Sequence, residues 1–580
     1  MLKRILSLLL LLTLLATAVS CSFGRGPAAT EAPSAPSDPL DAGDVIARLN
    51  KNKNVTVGRT DLVFDLTRKE VDELYRRFAE LDRLIAEGTD YEAFDLLYTE
   101  ISETDLERIK TQNEIIYLLW CCDLSDPLTE AAHLALDEIH TDLVARLNRT
   151  YETVWQSPFR DAFYDGWTDE EIAYVRALAA GYTDEMTALT RANDELLVAF
   201  RALSDEDETY YPETARLFLE MAKNNDRIAR LLGYDDYMEY AYAEIYGRDY
   251  APADTAAFRA CFREGLMSRL SAYAEKIGGD GLSYLSLSFT DYWNFYRYFA
   301  GDVRSDFSDV VARYASAVGM YAPAYLTTYE EFFGKKNYCF AGGDAYEGAF
   351  TTYLSDAMTP VIYFGPGYAS PDAFIHEFGH YFVAVQNGSE AELYSYDLAE
   401  TQSQGNEFLF TWWFENNEPS YRAIAQAVAE YKEYEILVTV LVASLVNDFE
   451  IYVYTHLDEL TPEELDGVLV SLCDGYGGYG AVEAAMGYAP EWYWHHVVME
   501  APGYYISYAI SAIPTLSLYA KARAEGFAAA VAAYDVLANA DPDAGFLETL
   551  KAAGIGSPFD AATYRAISSQ LAPIQTKDGQ

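Results

Sequence analysis

Histidine is scarce in this 580-residue chain, at seven residues, and basic side chains are outnumbered throughout. Lys and Arg total 41 against 91 Asp and Glu, a formal net charge of -50, which excludes a phosphate backbone as partner. Such charge suits solubility or a saline habitat, and it could also draw basic peptides toward an acidic cleft. The six cysteines are Cys21, Cys121, Cys122, Cys261, Cys339 and Cys473, with no CxxC pair and no closely spaced histidine. That excludes a thiolate zinc cluster. With Cys21 set apart for the reason given next, an odd five remain, so a disulfide framework is not what organises the fold. They read as small core residues.

Long apolar runs are also few. The one that opens the chain, residues 5–15, follows Lys3 and Arg4 and is too short for a comfortable membrane span. Thr17, Ala18 and Ser20 lead to Cys21 in a pattern similar to a bacterial lipoprotein cleavage box. Residues 1–20 are therefore expected to be a signal peptide, with Cys21 carrying lipid at the outer face of a bacterial membrane. A plain secretory signal or an uncleaved anchor is the alternative. Residues 21–43, rich in Gly, Ala, Pro, Ser and Thr, are expected to be a flexible tether.

The remaining length exceeds what one compact core holds, so two lobes are expected. Thr67 and Glu70 form a capping-box pattern, after which Val71, Leu74, Tyr75, Phe78, Leu81 and Ile85 recur at helical spacing as far as Gly88. Similar periodicity over 105–120, 128–147, 169–180 and 185–203 marks residues 44–210 as a helical lobe, with residues 211–575 as a second, catalytic region. An aromatic turn is expected at 210–212. Within the second region, glycines punctuate β-prone runs at 348–353 and 360–364, which predicts a small sheet. Its edge could hold an extended peptide, or the pair could be a structural hairpin. Helical periodicity returns over 421–456, and the glycine-dense residues 475–480 are expected to be a mobile loop.

Against this background His376-Glu377-Phe378-Gly379-His380 stands out. With histidine this rare, an accidental HExxH is expected on the order of once in a hundred such chains. Ser370, Pro371 and Asp372 supply a cap, a first-position proline and an early acid, so the motif is expected on a helix. There His376 and His380 share one face and can bind one metal, with Glu377 beside the metal-bound water. A third protein ligand is needed. Glu400 is the best candidate and Asp397 its competitor, while Glu407, two turns further along the same face, suits a carboxylate that orients a ligating imidazole.

These motifs resemble the thimet oligopeptidase and oligoendopeptidase F family of zinc metallopeptidases. The likeness rests on His376 to His380, on the segment from Leu398 to Glu407, and on His496, Tyr505 and Tyr508, with Gly348-Ala349-Phe350 resembling the family's substrate-side strand. Leu231-Leu232-Gly233-Tyr234 is similar to a recurrent helix-entry segment. Val383 departs from the pattern, since many members carry another histidine there, and Tyr346-Glu347 stand where basic residues are common.

The resemblance implies a mainly α fold, two helical lobes flanking a deep substrate channel, with a small β-sheet beside the HExxH helix. It implies one Zn2+ per chain, held by His376, His380 and Glu400. It implies Glu377 as general base and acid, Tyr508 at the oxyanion, and His496 with Tyr505 holding the substrate beside Gly348, Ala349 and Phe350. The expected partners are oligopeptides cut at internal bonds by a monomer that touches the membrane only through Cys21. A C-terminal exopeptidase or a non-catalytic peptide-binding lipoprotein are the competing readings.

Overall fold

The computed structural model describes residues 38–574 other than 60, 182–183, 202, 204–208, 278–305, 355–357, 369, 389–390, 392–393, 495–496 and 543. The expected signal, Cys21, most of the tether and His496 lie outside the described residues. The last part of the expected tether is packed instead. Leu40 and Ala42 are buried, and Asp38 pairs with Arg68 at 3.1 Å, so apolar burial overrides a linker-like composition there.

The chain is mainly helical. After a short strand β1 (Thr56–Val57), the N-terminal lobe is built on α1 (Arg68–Glu87), α2 (Leu106–Cys121) and α3 (Pro127–Trp155). The capping box forms: the Thr67 hydroxyl accepts from the Glu70 amide at 3.3 Å and the Glu70 carboxylate accepts from the Thr67 amide at 2.8 Å. Gly88 then ends α1 at φ +61. Helix α3 runs eight residues past the expected end at 147, because no breaker intervenes and Tyr151 and Val154 continue its buried stripe.

In the second region α4 (Tyr210–Leu231) begins at the aromatic pair itself, so the expected turn at 210–212 is its first helical turn. The segment at 231–234, similar to a helix entry, closes α4 with Gly233 at φ +94 and leads two residues later to Asp236, which caps the next helix, Tyr237–Tyr240. Strands β2 (Tyr338–Phe340), β3 (Ala349–Leu354) and β4 (Thr359–Phe364) join β1 in a sheet of order β1-β2-β4-β3, with β2 parallel to β4 and the other pairs antiparallel. Four long helices follow: α5 (Pro371–Asn387), α6 (Tyr396–Asn417), α7 (Arg422–Thr455) and α8 (Ile506–Glu525). The glycine-dense segment between α7 and α8 is a folded corner, not a loose loop. Gly477 and Gly478 take φ +100 and +95, and the buried Tyr476 donates to Asp448 at 2.8 Å.

The sheet is the wall between two cores. Side chains alternate along a strand, so Cys339, Val361 and Tyr363 enter the core of α1 to α3, while Phe340, Ile362 and Phe364 enter the core that contains Phe374 and Phe378 of α5. That geometry sets β3, an edge strand, directly beside α5. Helix α7 contains an apolar stretch long enough to cross a bilayer, but most of it is buried among the other helices, which accounts for its composition.

Candidate active site

Helix α5 starts as its sequence dictates. Ser370 accepts from the Ala373 amide at 3.1 Å, Pro371 needs no donor at the first position, and Asp372 faces the positive helix end. His376 and His380 follow on one face, with ring centroids 5.1 Å apart. Helix α6 crosses them very closely. Asn406, fully buried, donates to the Ile375 carbonyl at 2.7 Å, while its own amide oxygen accepts from the Tyr314 and Tyr325 hydroxyls at 2.8 and 2.9 Å. This crossing brings Glu400 to the imidazoles, with Glu400 Oε2 3.6 Å from His376 Nε2.

One ligand atom from each of His376, His380 and Glu400 lies within 4.8 Å of the other two. A tetrahedral zinc with ligands at about 2.0–2.1 Å has ligand separations of about 3.3 Å, the scale of a group whose atoms lie within 4.8 Å. Two imidazole nitrogens and a carboxylate are also a donor set that zinc accepts while keeping one position open. The residues fit the ion.

Glu407 stands behind His376, its Oε1 2.7 Å from His376 Nδ1, and its Oε2 accepts from Lys432 at 2.8 Å. Asp397 is turned away from the site: it accepts from Tyr250 at 2.7 Å and lies 3.5 Å from the guanidinium of the buried Arg248. Burial and partner choice thus decide between two acids that spacing alone left in competition.

Several contributors carried no sequence signal. Tyr504 donates to Glu400 Oε1 at 2.6 Å and lies 3.2 Å from the Tyr508 hydroxyl, and Ser403 donates to Glu400 Oε2 at 3.2 Å. Thr351 on β3 donates to the Glu377 carboxylate at 2.8 Å. The expected Tyr508 is therefore one hydroxyl away from Glu400, and the Tyr505 ring stands 5.7 Å from that of Tyr508 at 81°. Ala349 and Phe350 begin β3, but the Phe350 ring stacks on Tyr363 at 4.9 Å, toward the N-terminal core. Only the strand's backbone edge and its Thr351 face lie on the side of Glu377.

Electrostatics separate these groups. Burial above all pushes the Glu377 carboxyl up to about 7, against the opposing pull of His376 and Thr351. Glu400 is raised by the same cause. For Glu407 burial is outweighed by Lys432 and His376, and its carboxyl falls to about 2. Burial would strip His376 of its proton, yet Glu407, Glu400 and Glu377 hold the imidazolium of the metal-stripped site up to about 9. His380, buried beside that cation, is lowered to about 3.

Comparison with known proteins agrees with this architecture. A family profile, the Peptidase M3 N-terminal domain, matches residues 63–177. Solved structures of similar fold include PZ peptidase A with an inhibitor, at TM-score 0.63 and 16% identity over 87% of this chain and 97% of that one. A Bacillus anthracis chain described as an oligoendopeptidase F gives 0.61 and 17% over 89% and 97%, and oligoendopeptidase-F from Enterococcus faecium gives 0.51 and 13% over 87% and 97%. A search of curated proteins found no significant match. At these identities the structural likeness speaks for the fold. Together with the N-terminal match it points to one class of fold, that of the M3-type peptidases, which this chain resembles. More particularly, the chain resembles the oligoendopeptidase F branch, as its motifs anticipate.

Proposed function

We propose that this protein is a zinc metallopeptidase that hydrolyses internal bonds of oligopeptides. The observation that carries the reading is the convergence of His376, His380 and Glu400 beside the buried Glu377. When bound there, zinc supplies a Lewis acid and lowers the pKa of its water. The rest is done by the chain. Glu377, held by Thr351 and tuned close to neutrality, accepts the proton of the attacking water and returns it to the departing amine. Glu407 fixes the ring of His376. Tyr508 offers a hydroxyl to the developing oxyanion, and Tyr505 with His496 holds the substrate. An extended peptide pairs with the outer edge of β3, the last strand of the sheet among the described residues, which reads main chain and leaves side-chain choice to the rest of the cleft.

The test is a digest. The protein is incubated with a mixture of unmodified oligopeptides, with and without chelator, and products are read by mass spectrometry. Chelator-sensitive internal cuts support the assignment. Trimming from free C-termini alone would move it to an exopeptidase, and no products would leave a peptide-binding protein.

The reading extends to the N-terminus, where residues 1–20 act as a signal and Cys21 carries the lipid anchor. Incorporation of labelled fatty acid that is lost in Cys21→Ala supports this, and label retained in that variant refutes it.

A further inference from the structure

We propose that Lys432 is a positioning residue for the metal site, a single ammonium that ties the two ligand-bearing helices together and thereby sets how tightly His376 holds an ion. The inference rests on the metal-site reading above and goes beyond it, because Lys432 touches neither metal ligand nor substrate.

Lys432 projects from α7, 56 residues past His376, into the junction of α5 and α6. Its side chain is only 9% exposed. The ammonium lies 2.8 Å from Glu407 Oε2 on α6, 2.9 Å from Glu435 on its own helix, and 3.8 Å from Asp372 in the first turn of α5. These three contacts are unequal. Glu435 is 46% exposed and Asp372 29%, whereas Glu407 is 13% exposed, so the contact with Glu407 is the least screened by water.

What makes the contact specific is how Glu407 uses its two oxygens. Oε2 faces Lys432 and Oε1 faces His376 Nδ1, so each oxygen has one partner. A glutamate carboxylate otherwise turns easily about its last torsion. Held at both ends it cannot, and the imidazole that abuts it is fixed with Nε2 toward Glu400 and His380. Asp372 lies four residues before His376, on the same face of α5. Lys432 therefore grips the helix of the imidazole at one point and the carboxylate behind that imidazole at another. Partners of metal-ligating histidines commonly change metal affinity about 10- to 100-fold when removed. Here the geometry passes that role one residue further back.

The test compares zinc affinities of full-length wild type, Lys432→Met and Lys432→Arg by competition with a chromophoric chelator, together with the absorption spectrum of each protein loaded with cobalt(II). We expect Lys432→Met to bind zinc about tenfold or more weakly with an altered cobalt spectrum, and Lys432→Arg to recover both, since Arg retains the charge and can still reach Glu407. Zinc affinity in Lys432→Met within twofold of wild type overturns the inference alone, as does an arginine variant no better than the methionine one. Wild type that binds no zinc overturns the metal-site reading and this inference with it. Removing one partner of a buried ion pair can cost the fold itself. If Lys432→Met does not fold, Lys432→Gln, which removes the charge but keeps a polar chain in the junction, is measured in its place: zinc binding weaker than in Lys432→Arg supports the inference and binding within twofold of wild type overturns it.

Discussion

Gly379 and Ser403 meet backbone to backbone at the centre of the candidate active site. A β-carbon placed on Gly379 would stand 2.8 Å from Ser403 Cα and 3.0 Å from the carbonyl oxygen of Gln402. The glycine between the histidines is therefore what lets α6 cross α5 closely enough for Glu400 to reach them.

Gly379→Ala should drive the helices apart, since neither contact belongs to a side chain that can rotate away. The expected cost is about 1–3 kcal/mol of stability, as for other overpacked cores, together with weaker zinc binding. Gly405→Ala on α6, the helix that carries Ser403, is the comparison. Its β-carbon would meet Leu518 Cδ1 at 2.9 Å, the end of a flexible side chain, so the perturbation should be smaller. Thermal melts and zinc titrations of both variants check this, and a Gly379→Ala protein with wild-type zinc affinity would contradict it.

How far this site can be read from sequence depends on the range of each interaction. The cap at Ser370, the capping box at Thr67 and the i, i+4 pairing of His376 with His380 are local, and they are legible as residue spacing. Glu400 and Asp397 are three residues apart and both buried, so spacing alone does not separate them. What separates them is Arg248, some 150 residues upstream, which claims Asp397. Thr351 reaches Glu377 because β3 pairs with β4 in one register and not the next, a choice that turns alternate side chains to opposite faces. Tyr504 is one of 48 tyrosines and carries no spacing signal until the chain is folded.

Tyr504, just before α8, and Tyr508, in its first turn, should separate by phenotype. Tyr504 donates to Glu400, the proposed third ligand, so Tyr504→Phe removes a charge-assisted hydrogen bond of about 1.5–3 kcal/mol and should appear mainly as weaker zinc binding. Tyr508→Phe should keep its zinc and lose about 10²- to 10³-fold in kcat, as for an oxyanion donor. Steady-state kinetics at saturating zinc, set beside zinc affinities, distinguish them. Equal loss of zinc in both would remove Tyr508 from the oxyanion role.

Glu377 should be separable from metal binding. Glu377→Gln is expected to retain zinc and to lose about four decades of activity. Thr351→Val gives the finer test. The threonine hydroxyl favours the ionised carboxylate, so its removal should raise the pKa of Glu377 and move the acid limb of kcat/KM to higher pH. An acid limb that stays in place, or moves down, would mean that another group titrates there.

Zinc uptake should depend on pH through His376. In the metal-stripped site Glu407 and its neighbours hold that imidazolium up to about 9, above its ordinary 6.5. A raised histidine pKa stabilises the folded protein fully below pH 6.5, and that contribution is lost as pH rises through 9. Zinc must displace the same proton, so zinc affinity should climb about tenfold per pH unit across this window from His376 alone and level off above it. These are two views of one linkage, and through it the gap in melting temperature between loaded and stripped protein widens as pH goes from 6.5 to 9. Glu407→Gln removes the main group that holds the proton, so in that variant the gap should stop widening nearer pH 6.5, at a lower absolute affinity. Melting curves of both proteins, loaded and stripped, at half-unit intervals of pH provide the measurement. A gap that is flat over the window in the wild type would place the proton elsewhere than on His376.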